Sequence, residues 1–444
     1  MLNIKVNKNI LSQIFIWMTF ILTTFPIMTF GLRSVAIIVW TLLGVLCSLQ
    51  NKKLFKEKSK QKKILLLISI SPFVYLTLSL LYTQNLDLGI KRLVQMLPLF
   101  AFPVIFYLNR EKFDWTKLKK ILWIFSISVL ALVLFEIIYS IFKLDYLLAD
   151  LTEKELISNN LSNYKMLDED VVNKIKTRRF RNFILELTSS HFTYQGLWIV
   201  FSIFFIGQQA FRFIKTKKVL SFVLLFSALI MVIWMFLISA RMPILTMLLS
   251  SFAVILALKK IKTKTVMIIV TSSIISLMSA YFIFTPLQVR VNEIFQAKFE
   301  LPTSGDDIEN YSSINVRNGI YFCAYNVIRD NIWFGTGVGD SQQELNTCYQ
   351  DKIGAKIYTW TDYNTHNQFL FFLLSSGIPG VLLFMLLIYT HFKKALQSKN
   401  QIYLYFVLIF CLISLTENLL SRSDGVMFFA FFSGLFLFNL KQSE

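Results

Sequence analysis

Apolar residues along this chain gather in blocks long enough to cross a bilayer, which takes about 17–25 residues in a helix. The blocks lie at roughly 10–30, 34–50, 64–82, 93–109, 121–142, 193–211, 219–239, 243–258, 265–285, 367–390, 402–418 and 425–440. Each predicts a transmembrane helix. The eighth and twelfth are the shortest. The first is too long for the apolar core of a secretory signal and lacks a small-residue cleavage site, so no cleavable signal is expected.

The connections between the blocks alternate in character. Lys52, Lys53, Lys56, Lys58, Lys60, Lys62 and Lys63 crowd the second connection, and Arg110, Lys112, Lys117, Lys119 and Lys120 the fourth. Arg212, Lys215, Lys217 and Lys218 fill the sixth, Lys259, Lys260, Lys262 and Lys264 the eighth, and Lys393, Lys394 and Lys399 the tenth. Every second connection is short and basic, which the positive-inside rule assigns to the cytoplasm. Both termini are then cytoplasmic. The two long connections fall on the opposite side. The chain therefore divides into transmembrane helices 1–5 (1–142), an outer loop (143–192), helices 6–9 (193–285), a larger outer loop (286–366) and helices 10–12 (367–444). In the larger loop Val316, Ile320, Cys323 and Val327 recur at helical spacing, which predicts an amphipathic helix.

Composition narrows the class further. Apolar residues make up 55% of the chain and aromatics 16%. That belongs to an all-α integral membrane protein, not to a soluble enzyme. The net charge of +19 is dispersed among short loops without a binding module, so it reads as a topology signal and excludes a nucleic-acid partner.

Candidate chemistry sits at the outer ends of the spans. The cluster Asn364-Thr365-His366-Asn367-Gln368 opens the tenth span. A histidine at a membrane helix mouth needs a role or a partner, and imidazole suits a general base. Arg241 lies in the very short outer turn between spans seven and eight, where a guanidinium so close to hydrocarbon calls for an anion and fits phosphate by its fork. Arg290 follows the ninth span and Arg317 opens the amphipathic segment. Glu417, at the outer end of span eleven, is placed to orient His366 or to meet a substrate hydroxyl. His191 starts span six and reads as structural. Glu136, inside span five, reads as paired with a basic group. Gly335-x-Gly337-x-Gly339 lacks the strand and the Lys-Ser/Thr of a phosphate loop and reads as a turn. Asp168-Glu169-Asp170 reads as a solvated run, and no metal is expected. Cys47 and Cys411 fall within spans. Cys323 and Cys348 share the large outer loop, where a disulfide is permitted.

The order of these parts resembles the O-antigen ligase and polymerase superfamily of bacterial envelope enzymes. The parts are Ser239-Ala240-Arg241, Arg290, Arg317-Asn318-Gly319, Gly335-Thr336-Gly337-Val338-Gly339, and His366-Asn367-Gln368-Phe369-Leu370 with Gly377-Ile378-Pro379-Gly380. The likeness is strongest over 219–390. It implies a GT-C-like fold of about 12 transmembrane helices with two large periplasmic loops in the bacterial inner membrane. It further implies a metal-independent, inverting glycosyltransferase that needs no cofactor. Such an enzyme moves a glycan from undecaprenyl diphosphate to lipid A-core, a growing glycan or a protein. His366 would be the base, with Arg241, Arg290 and Arg317 on the pyrophosphate. Ligase, polymerase and protein O-oligosaccharyltransferase branches share the motifs. The rival from another class is a lipid or polysaccharide transporter. It would carry charged or helix-breaking features near midplane and a repeat between halves. The polar residues here cluster at one face instead.

Overall fold

The computed structural model describes residues 8–50, 59–158, 169–257, 281–295, 300–303 and 313–440, with single positions between 271 and 279. No strand occurs among the described residues. The apolar blocks become α1 (Lys8–Thr23), α2 (Phe30–Leu49), α3 (Lys60–Leu78), α4 (Leu86–Met96), α5 (Pro98–Leu108) and α6 (Trp115–Phe142). After them come the connecting helices α7 (Leu144–Leu148), α8 (Glu153–Ser158) and α9 (Glu169–Thr188). The bundle resumes with α10 (Phe192–Phe213), α11 (Lys218–Leu237) and α12 (Arg241–Ala257). The larger loop holds α13 (Thr285–Phe295), α14 (Ser313–Asp330) and α15 (Ser341–Cys348). The chain closes with α16 (Gln368–Gln397), α17 (Gln401–Ser414) and α18 (Ser423–Asn439). Among the described residues, seven helices, counting α4 and α5 as one, are long and apolar enough to cross a membrane, and four shorter apolar helices accompany them. The chain is a multi-pass membrane protein. Most of the ninth predicted span, 265–285, lies outside the described residues, as do Asp168 and the side chains of Asp170 and Arg290.

Polar caps start many of these helices. Ser59, Asn85, Asp114, Asn367 and Asn400 each accept a backbone N–H from the first turn that follows, which satisfies donors the helix itself cannot. The fourth span begins earlier than hydropathy predicts, at Leu86, because Lys91 and Arg92 depress the apolar average of a segment that is helical all the same. It bends at Leu97–Pro98, where proline lacks the N–H to continue the ladder. The first span ends at Thr23 and not at 30, with Pro26 in a short 3-10 turn beyond it.

α18 is buried from Asp424 to Asn439 on every face, the mark of a central helix. Phe431 meets Phe102 and Phe106 of α5, and Phe432 meets Phe125 of α6 and Phe201 of α10. A shortest span at the end of the chain is thus the hub of the bundle. Glu136 corrects the sequence reading. Its partner is no basic group: its Oε2 accepts the Trp234 indole N–H at 2.7 Å. A neutral donor avoids the cost of burying a second charge.

The larger loop builds a second, smaller core. Val316, Ile320, Cys323 and Val327 of α14 all face inward, against Leu345, Tyr349 and Tyr358 and against Leu374 of α16. The sulfurs of Cys323 and Cys348 are bonded, with Cα atoms 5.6 Å apart, tying α14 to α15.

The second, fourth and tenth connections meet at one end of the bundle. Lys62, Arg110, Lys394 and Asn400 line one cavity there of about 990 Å³. The opposite end holds the loops and the site.

Candidate functional site

The site grows from the junction before α16. Asn364 Oδ1 accepts the His366 backbone N–H at 2.9 Å. Thr365 Oγ1 donates to Asn418 Oδ1 at 3.0 Å, and the Asn367 N–H donates to the same oxygen at 2.7 Å. Asn367 Nδ2 reaches the Leu415 carbonyl, and Gln368 Oε1 accepts from the Leu420 N–H. Thr365, Asn367 and Gln368 are thus spent on fixing this junction to the turn 415–420, while Asn364 holds the His366 backbone. His366 is set apart by its backbone. It sits at φ 42°, a left-handed conformation that costs a non-glycine residue about 1–3 kcal/mol and is tolerated where neighbours impose it.

The imposed geometry aims the imidazole at Glu417. His366 Nδ1 lies 3.3 Å from Glu417 Oε2, and Arg317 Nη2 lies 3.3 Å from Glu417 Oε1. One carboxylate therefore bridges the histidine and the guanidinium. The Glu417 side chain is 16% exposed, His366 26% and Arg317 34%, so the carboxylate is the sunken member and the other two open outward. Burial pushes the Glu417 carboxyl up, but the His366 hydrogen bond, with the Arg317 guanidinium beside it, outweighs it and holds it below the usual range. An ionised carboxylate only accepts, so the hydrogen between the two sits on His366 Nδ1, and a neutral imidazole so held has its lone pair at Nε2.

Arg241 joins through α14. It begins α12 after Ser239, itself at φ 53°, and its Nη2 lies 3.4 Å from Ser313 Oγ. Ser313 and Arg317 are four residues apart, hence neighbours on one helix face about 5–6 Å apart at Cβ. Arg241, Arg317, Glu417 and His366 are in this way strung along the same end of the bundle. Arg290 lies on α13, and its side chain is outside the described residues.

Two groups, Arg422 and Asn418, escaped the sequence reading, and His191, read there as structural, stands beside the site. His191 caps α10 and feels Glu417, Arg422, Arg181 and His366; burial is the main cause that lowers its pKa to about 4, so it stands neutral beside the site. Arg422 follows Glu417 by five positions, and only the turn at 415–422 brings it near. Asn418 is the buried anchor of the whole junction. Its proximity to Glu417 in sequence is the one signal that pointed there.

Gly335–Gly339 is a docking turn. Gly377 breaks α16 at φ 64°, ψ −166°, which frees the Leu374 and Ser375 carbonyls to accept from the Thr336 and Gly337 N–H groups at 2.8 and 3.1 Å. The Ile378 N–H donates back to the Ile332 carbonyl at 3.0 Å. The glycine turn and the Gly377-Ile378-Pro379-Gly380 motif are two halves of one joint that holds the loop over the bundle.

Bundle and junction together define a multi-pass membrane protein with a polar, histidine-bearing site at one end. Residues 226–385 match the family model described as O-antigen ligase. That match agrees with the resemblance to the O-antigen ligase/polymerase superfamily read from the motifs. No curated protein matches the chain.

Proposed function

We propose that the chain is a glycosyltransferase that moves a glycan from undecaprenyl diphosphate to an acceptor hydroxyl at the periplasmic face of the bacterial inner membrane, in the manner of an O-antigen ligase. The observation that carries this reading is the Arg317–Glu417–His366 bridge. A base needs a free lone pair and a partner that fixes its tautomer, and Glu417 supplies the second while leaving Nε2 for the first.

The reaction is a single displacement. The acceptor oxygen attacks the anomeric carbon while its proton passes to His366 Nε2. The bond from the anomeric carbon to the diphosphate oxygen breaks, and the configuration inverts. Charge develops on the departing diphosphate, which positioned guanidiniums stabilise. Arg241 and Arg290 take this role, with Arg317 shared between the diphosphate and Glu417. The lipid diphosphate is already activated, so no nucleotide takes part. The acceptor is lipid A-core, a growing glycan or a protein, and membrane lipids surround the bundle.

The test is transfer in vitro with purified lipid-linked donor, normalised to folded protein. His366→Ala is expected to lose about 10²–10⁴-fold in turnover, the scale of a positioned base, while still binding donor. Glu417→Gln, which keeps the shape but weakens the hold on Nδ1, is expected to fall between. Near-normal turnover in His366→Ala would remove the histidine from the mechanism.

A further inference from the structure

Behind the His366 junction, on the side lined by α4 and α15, the fold encloses a second cavity of about 170 Å³. One buried water needs only about 10–15 Å³, so the space exceeds an ordinary water site by an order of magnitude. Its walls include Gln95, Gln342, Asn364, Asn418 and Ser421, with Phe371 on one side. Two of these carry buried polar atoms without a protein partner, Asn418 Nδ2 and Ser421 Oγ. Asn418 is 1% exposed. An unpaired buried donor costs free energy unless something in the cavity takes its hydrogen.

The chemistry of the walls selects among ligands. Amides and hydroxyls both donate and accept, which matches a group that also does both. The one cation, Arg92, already donates through Nη1 to the Val338 carbonyl and to Ser341 Oγ, both at 2.7 Å. The carboxylates of Asp362 and Asp340 also act on its charge. A phosphate therefore meets a guanidinium already shared with two protein acceptors and faced by two carboxylates. An acyl chain would leave Asn418 Nδ2 and Ser421 Oγ unpaired. A neutral sugar ring satisfies both conditions, with hydroxyls for the amides and a C–H face for Phe371.

We infer that this cavity is a sugar-binding subsite, holding a glycan residue of a substrate beside the junction that aims His366. The inference rests on the transferase reading and names a binding element of the same site. Asn364 and Thr365 link the two directly. Both line the cavity, and Asn364 also holds the His366 backbone. The sugar belongs either to the lipid-linked donor or to the acceptor.

Ser421→Leu is the primary test, in full-length protein reconstituted in nanodiscs. It fills the cavity and removes no protein hydrogen bond of the side chain, since Ser421 Oγ makes none. The KM for one glycan substrate is expected to rise about tenfold with kcat within twofold, the pattern of lost ground-state binding. Gln342→Ala should raise the same KM about fivefold, the scale of one neutral hydrogen bond. It decides the matter if Ser421→Leu does not fold. Calorimetric titration with the free glycan, released by hydrolysis from the lipid-linked donor, separates the sources. Weaker binding of that glycan together with a raised donor KM assigns the donor sugar. Unchanged binding with a raised acceptor KM assigns the acceptor sugar. If folded variants leave both KM values and the titration unchanged, the cavity holds water only and the inference falls. The His366→Ala result is independent of these readings and tests the transferase assignment alone.

Discussion

Glu417 spends one carboxylate on two partners, and that sharing sets what each neighbour does. It lies 3.3 Å from both His366 Nδ1 and Arg317 Nη2, and on the proposed reading it would compete with a diphosphate for Arg317. Arg241, held at Ser313 Oγ, is on the proposed reading a test of donor binding through its fork. Arg241→Lys keeps the charge but loses bidentate geometry. A hydrogen bond to a charged group is worth about 1.5–3 kcal/mol, so roughly a ten- to hundredfold loss of transfer is expected for the lysine variant. Equal activity at equal protein level would leave Arg241 as an anchor of the helix turn. The same cluster predicts an acid-sensitive site. His191 falls from 6.5 in the unfolded chain to about 4 when folded, so between those values the unfolded state binds the extra proton. Stability from this group is present above about 6.5 and is lost as pH falls toward 4. Glu417, whose folded pKa is also lowered, acts in the same direction, losing its contribution as pH falls through its folded value. His191→Gln should flatten the decline of thermal stability between pH 6.5 and 4. An unchanged slope would show that other groups govern it.

The elements around the site are joined by two devices. The first is the break in α16. Gly377 occupies a left-handed conformation, and a Cβ there would collide with the Trp333 carbonyl. Gly335, at φ 72°, is similarly pressed against the Ser376 N–H. Gly377→Ala is expected to cost at least the 1–3 kcal/mol of a strained backbone and to loosen the glycine turn, measured as faster proteolysis after residue 330 with the bundle intact. Unaltered cleavage would mean that the joint tolerates a side chain. The second device is the Cys323–Cys348 bridge. Its sequence separation of 25 gives roughly 3 kcal/mol in the chain-entropy account. Replacing both cysteines by serine should lower the unfolding temperature of the loop region. Mass spectrometry of unreduced peptides checks the bond itself.

At the scale of the molecule, charge separates the two ends. Lys62, Arg110 and Lys394 surround one cavity at the basic end, while Arg33 and Asp424 form a buried ion pair, braced by Ser190, at the other. That pair joins the starts of α2 and α18 to the turn before α10. Reporter fusions after Lys60, Lys217 and Lys262 are expected to read cytoplasmic. Fusions near Asp168 and Asp307 should read periplasmic. A cytoplasmic signal at Asp307 would place His366 on the wrong side for a lipid-linked donor that has already been flipped.

Hydrophobic runs located the apolar helices among the described residues, because lipid forces each backbone to satisfy itself within its own helix. They predicted α14 from the spacing of Val316, Ile320, Cys323 and Val327, and they named His366, Glu417, Arg241 and Arg317 as separate candidates. Long-range pairing was not legible. Nothing in the 364–368 segment says that its amides are used on 415–420, or that Arg317, one hundred positions earlier, shares the Glu417 carboxylate. Nor does the modest length of the last span mark it as the hub. Helix periodicity is local and is written in neighbouring residues. Which helix ends meet, and which polar atoms are left facing a cavity, depends on how the whole bundle packs.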